Sequence, residues 1–347
     1  MDLNTVWFVL FGVLIAGYAI LDGFDLGVGA LSLLARGEEE RDLHVKAIGP
    51  VWDGNEVWLL TGGGALFAAF PVVYATVFSG FYLALMLLLV ALMARALGIE
   101  FRHHLEGDRW RRAWGLAFGV GSLVPALLFG VAVGNVLRGV PVGPDASWHG
   151  SFLGLLNPYA LLVGVVSLTF FTMHGALYLR LKCDGALQER LARWLPRLWA
   201  AFVCAYALAT AATVVVSPWL FDGAARSPLF LALTAVVVAS ISAIPLLSRG
   251  RPRLAFASSS VAIASMIFVA ATSMFPRLLP SSLDLAHSLT VYNASSTPRT
   301  LTVMLVIALI GVPIMLGYTV FAYRVFKGKV VPGTDRYGSP VRAAPAP

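Results

Sequence analysis

Five acidic residues carry the first question this sequence poses. Asp22, Asp25, Asp53, Glu56 and Glu100 stand inside or beside long apolar stretches. A charged side chain at the centre of a bilayer costs about 2.5–3.5 kcal/mol on insertion scales, so each calls for a reason. Asp22 and Asp25 are three residues apart, and a helix puts them on one face. Asp53 and Glu56 repeat that spacing, with Asn55 between them and Trp52 and Trp58 alongside. Neither of the two apolar stretches contains a Lys or Arg. Burial of a carboxylate without a cation favours its protonated form. Three readings follow: a proton pathway, a polar network that staples helices, or an oxygen-lined cation site.

Histidine and cysteine point elsewhere. Of His44, His103, His104, His149, His174 and His287, only His174 lies within an apolar stretch, and no second such histidine completes a bis-His haem pair. A single helical histidine of this kind reads as a hydrogen-bonded packing residue. Cys183 and Cys204 have no metal or haem-attachment spacing and read as inert thiols. Glycines are dense near the acids, with Gly23, Gly27 and Gly29 in one stretch and Gly62, Gly63 and Gly64 in the next. They suit close helix packing, or room for a partner's cofactor.

The elements that hold these residues are membrane helices. The chain has 347 residues, 59% hydrophobic and 12% charged, half the charge of an average soluble domain. Nine apolar segments, near residues 5–34, 48–71, 73–98, 113–138, 157–181, 193–217, 228–248, 252–275 and 300–326, are long enough to span. The second and third meet at a tight turn around Phe70-Pro71. With the N-terminus outside, only Arg138, Arg226, Arg277 and Arg299 of the 25 Lys and Arg fall in external loops. That asymmetry predicts an N-out, C-in topology, with Arg95 and Arg102 counted among the cytoplasmic loop charges. The net charge of +7 then reflects topology, and nucleic-acid binding is excluded. The N-terminus lacks the basic start and short apolar run of a cleavable signal peptide. No soluble domain is inserted, and the Pro-rich tail 331–347 is predicted to be disordered. The echo between Ala65–Pro71 and Ala270–Pro276 marks two candidate halves, about 1–140 and 157–275, or is coincidence.

At these residues the sequence resembles subunit II of cytochrome bd-type quinol oxidases. Tyr18–Gly29 (YAILDGFDLGVG) and Gly49–Leu59 (GPVWDGNEVWL) are similar to the family's first- and second-helix signatures. Gly64–Pro71, Gly121–Pro125, Gly134-Asn135, Leu156–Tyr159, Pro280–Ser282 and Ser288–Thr290 extend the match over nearly the whole chain. The resemblance implies an all-helical fold of two four-helix bundles plus a peripheral helix, in a bacterial or archaeal cytoplasmic membrane. It implies a heterodimer with a subunit I that binds two b haems and one haem d. The complex oxidises quinol and carries out the four-electron reduction of oxygen to water, drawing protons from the cytoplasm without pumping. This subunit would be haem-free. Some members hold a structural quinone here, and a small single-helix accessory subunit is a further partner.

Carried over by position, Asp53 would be the acid on the proton route, with Glu100 and His104 at its cytoplasmic entrance and Trp58 along an oxygen-access tunnel. Some relatives have Asp and Lys where this chain has Glu100 and His104. Asp22, Asp25 and Glu56 join the same candidate pathway. The competing readings are a stand-alone proton or ion transporter and a purely structural scaffold. An oxidase subunit co-purifies with a haem-bearing membrane partner; a transporter is active alone. Reporter fusions near residues 42, 106, 188, 251 and 335 are expected to read cytoplasmic, and those near 145 and 287 external. A cytoplasmic signal at 287 would remove the ninth span.

Overall fold

The computed structural model describes residues 2–105, 107–223 and 227–330. The tail 331–347 and Arg226 lie outside the described residues. Eleven α-helices form the described fold: α1 (Leu3–Ser32), α2 (Glu38–Ile48), α3 (Trp52–Ala69), α4 (Pro71–Gly80), α5 (Tyr82–Phe101), α6 (Asp108–Arg138), α7 (Pro158–Lys182), α8 (Gly185–Val216), α9 (Pro228–Ser248), α10 (Pro252–Met274) and α11 (Pro298–Val325). Two short strands, β1 (Arg277–Leu279) and β2 (Leu289–Thr290), pair antiparallel in the loop before α11.

Local sequence sets the helix starts. Asp2, Asn157 and Thr297 cap α1, α7 and α11 by accepting from the backbone N–H three residues on. Proline begins α4, α7, α9, α10 and α11, where its missing N–H leaves no hydrogen bond unmade. Eight of the described helices are long and apolar enough to cross a membrane, and α3 with α4 makes a ninth, bent by 120° at Phe70-Pro71. The third apolar segment therefore differs from its sequence reading. It is not one helix from residue 73 but two, broken at Phe81, with the span starting at Tyr82. Nor are residues 35–47 a plain loop: α2 fills them, with Glu38, Glu39 and Glu40 in its first turn and Lys46 in its last, matching the helix dipole.

Helices α1, α3, α5 and α6 form one bundle and α7–α10 the other; α11 packs outside, against α1 and α3. The seam is made by α1 and α6 against α7. At its centre Gly27 and Gly175 bring two backbones together, and a Cβ on Gly175 would stand 2.5 Å from the Gly27 carbonyl carbon. Hydrogen bonds tie each end of the bundles separately. At one end, Asn4 donates to the Val291 carbonyl (2.8 Å), Ser281 to the Val142 carbonyl (2.7 Å) and Ser296 to the Ala68 carbonyl (2.6 Å). At the other, Arg102 grips Asp42 (2.9 Å) and Glu38, Arg190 pairs with Glu40, and Lys182 donates to the Phe326 carbonyl (2.6 Å).

Overpacking a close seam costs about 1–3 kcal/mol or more. Gly175→Val should lower the unfolding temperature of the purified protein or abolish its accumulation. Gly250→Ala, in open space at a loop, serves as the control and should leave both unchanged.

Candidate functional site

One acid of α1 and one of α3 are brought together by a cation that neither helix supplies. Arg95 of α5 is fully buried. Its Nη2 lies 2.8 Å from Asp22 Oδ1 and also pairs with Glu56. Its guanidinium carbon stands 6.0 Å from the Trp52 ring centroid, within cation–π range. This corrects two sequence readings. The acids are not without a cation, and Arg95 is not a loop charge: it sits in the second half of α5 with its side chain turned inward. The position is enforced from behind. Gly121 of α6 lies so close that a Cβ there would come within 2.6 Å of the Arg95 nitrogen and the Ala91 carbonyl.

Asp25, one turn beyond Asp22, is equally buried and has a different partner. Asn55 Nδ2 donates to Asp25 Oδ2 (2.7 Å), and the Tyr323 hydroxyl of α11 donates to Asn55 Oδ1 (3.0 Å). The i, i+3 spacing thus puts both aspartates into the core but divides them between an arginine and an amide. Asn55 and Tyr323 were not singled out as site residues. Asn55 could have been found from its place between Asp53 and Glu56; Tyr323 has no signal in sequence, because its contact spans 268 residues.

The second acidic pair splits the other way. Glu56 turns inward to Arg95, its side chain 26% exposed. Asp53 is exposed on the flank of α3, so it is not desolvated within this chain as its tryptophan neighbours suggested. With Val57, Leu60, Gly64 and Phe67 it forms one exposed stripe. Glu100 is half-buried in the last turn of α5, not beyond its end. His104 is exposed, with Nδ1 3.1 Å from the Glu100 carbonyl. Trp58 is buried against Leu14 and Tyr18, in a slot opened by Gly17.

His174 is also buried. Its Nδ1 is 2.6 Å from Ser259 Oγ, its Nε2 3.0 Å from the Ile20 carbonyl, and its ring stacks on Phe256 at 4.6 Å. Both nitrogens are engaged, which does not fit an axial haem ligand. Among the described residues no three His, Cys, Asp or Glu are placed to hold a metal ion. Outside the spans, burial and the neighbouring Arg41 push His44 down to about 3. Burial likewise lowers His103, with Asp42 opposing it.

Comparison with known proteins places this arrangement. The family profile for cytochrome bd terminal oxidase subunit II matches residues 3–326. The chain belongs to the cytochrome bd terminal oxidase subunit II family. Among its relatives is the cytochrome bd-I ubiquinol oxidase subunit 2 of Escherichia coli K12, 39% identical over 94% of this chain and 95% of that protein. The probable cytochrome oxidase subunit 2 of Haemophilus influenzae is 38% identical with the same coverage. The cytochrome bd ubiquinol oxidase subunit 2 of Bacillus subtilis is 35% identical over 95% of this chain and 97% of that one. The fold is that of a chain in the solved bd oxidase of Geobacillus thermodenitrificans, with a TM-score of 0.79 at 18% identity, covering 94% of this chain and 99% of the other. As a subunit II, this is a multi-pass membrane protein of a respiratory oxidase complex, and it implies a subunit I partner.

In this subunit II, several signature residues outside the acids do structural work. Asn135 donates to the Leu155 carbonyl (2.8 Å) and accepts from Asn157 (2.9 Å). Ser288 Oγ accepts from the Ser281 N–H at 3.1 Å. Removing one member of a buried ion pair costs about 3–5 kcal/mol, because the other charge is stranded. Arg95→Gln should therefore sharply reduce the yield of folded subunit. Adding Asp22→Asn to it should restore part of that yield, measured by membrane accumulation and thermal unfolding.

Proposed function

We propose that this chain is the haem-free subunit II of a quinol:oxygen oxidoreductase, conducting protons from the cytoplasm towards haems held by subunit I. In this reading Glu100 and His104 form the entrance, Asp53 is the exchanging acid at the subunit boundary, and Glu56, Asp22 and Asp25 are the inner members. Trp58 lies along the path by which oxygen reaches the partner.

One observation carries the reading. Asp53 presents a carboxylate to the outside of the chain on an apolar helical stripe. Facing lipid, that group is costly; facing a polar group of a partner subunit, it is satisfied and placed to pass a proton across the boundary. A structural carboxylate would turn inward, as Asp22 does. Asp53 stands in the first turn of α3. The proton transfers asked of it belong to oxygen reduction, which consumes protons as electrons arrive from quinol. The haems supply the redox chemistry when bound in the partner. The residues of this chain hold and move protons and pack the helices that face that partner.

Asp53→Asn should cut oxygen consumption by the purified complex while haem content and subunit stoichiometry stay normal, since an amide keeps size but cannot titrate. Asp53→Glu should retain part of the activity. A purely structural Asp53 gives the opposite order, the neutral amide being the milder change. Full activity in the Asn variant, or a loss explained by failed assembly, overturns the proton-route reading.

A further inference from the structure

The buried cluster at the junction of α1, α3 and α5 has more carboxyl groups than cations. Asp22, Asp25 and Glu56 surround one guanidinium, Arg95. The groups facing them from the other packed elements are neutral. Tyr18 is on α1 and Asn55 on α3; His174 and Tyr178 come from α7, and Tyr323 from α11. The remaining acid, Asp53, lies on the outer side of α3. With every carboxylate ionised, the interior would hold two uncompensated negative charges, which a low-dielectric site does not support. Arg95 grips Asp22 and Glu56 directly. Among the described residues Asp25 has no cation paired with it.

The ion pairs distinguish Asp25 from Asp22 and Glu56, and hydrogen bonding shows how it is held. Asp25 Oδ2 accepts from Asn55, while Oδ1 is fully buried and meets no protein donor or acceptor. Among the described residues, both Asp22 oxygens, the Tyr18 hydroxyl, Arg95 Nε and Nη1 and Trp58 Nε1 are likewise buried without a hydrogen-bond partner, Asp22 keeping only its ion pair with Arg95. Trp58 packs on Tyr18, whose hydroxyl lies beside Asp22 and Arg95. Buried polar groups in proteins are paired, by water where protein does not reach. A protonated carboxyl has one O–H to donate, and at Oδ1 only water is left to receive it.

We propose that Asp25 is a proton-holding carboxylic acid in a small hydrated chamber bounded by Arg95, Asn55 and Trp58, and that Tyr323 of α11 positions it through Asn55. This rests on the proton-supply reading above, and it places an exchangeable proton inside the chain, away from Asp53. Asn55 cannot relay by titrating. Its amide fixes Asp25 Oδ2, and its carbonyl is fixed in turn by the Tyr323 hydroxyl, in the last turn of α11. The peripheral helix thereby closes the chamber.

Infrared spectra of the purified complex, recorded in water and in heavy water, test this. Subtracting variant from parent isolates the carboxylic acid C=O stretch of single residues. The parent should show such a band, shifting in heavy water, that Asp25→Asn removes and Asp25→Glu moves. Tyr323→Phe should keep the band but speed its deuterium exchange several-fold, a change that a merely structural tyrosine would not produce. Asp53→Asn should leave the band intact, so failure of the surface route and failure of the chamber are read separately. A band that Asp25→Asn and Asp25→Glu both leave unchanged, or one that does not shift in heavy water, overturns the proposal. So does a Tyr323→Phe variant whose exchange rate equals that of the parent.

Discussion

The double demand on Arg95, whose Nη2 meets two carboxylates, is the constraint around which the first bundle is arranged. One guanidinium, contributed by α5, must reach a carboxylate on α1 and another on α3 at once. Desolvating such a set is expensive, and the attraction repays it only when geometry is tight. Three helices are therefore held in one rotation and one register. A rotation of α3 that carried Glu56 outward would also pull Asn55 from Asp25 and Trp58 from its slot against α1. The backbone of α6 presses on α5 at the same level, so Arg95 cannot retreat.

Around that centre the bilayer supplies little specificity of its own. Lipid is as apolar as the helix flanks, and helices in it associate through close packing and interhelical polar contacts. The polar ties are accordingly concentrated at the ends of the bundles and at a few interior points. The middle of α11 illustrates the contrast. Leu301 is its one buried residue, and its anchorage comes from Trp7 donating to the Leu301 carbonyl (3.0 Å) near one end and Tyr323 and Phe326 near the other.

Much of this was legible in the sequence because the bilayer writes long signals. Most span positions and the burial of Asp22 and Asp25 followed from apolar length and i, i+3 spacing. What was not legible has three physical causes. Arg95 was assigned to a loop because it lies near the end of an apolar run, and its partners are 73 and 39 residues away on other helices. The break at Phe81 falls inside an unbroken apolar stretch, where hydropathy has no contrast. The outward turn of Asp53 depends on the rotation of α3, which is fixed by Glu56 and Asn55 together and not by Asp53 itself. The short helix α2 was missed because its eleven residues are too few and too charged to register as a span.

The contact between Gly27 and Gly175 bears on what kind of machine this can be. A carrier that alternates access must let its two halves rock about the substrate, and rocking needs side chains that slide or re-seat. Here, at Gly27 and Gly175, main chain rests on main chain, and both rims are laced. The chain is mechanically a strut. In the proposed reading only protons and water move, past helices that need not tilt.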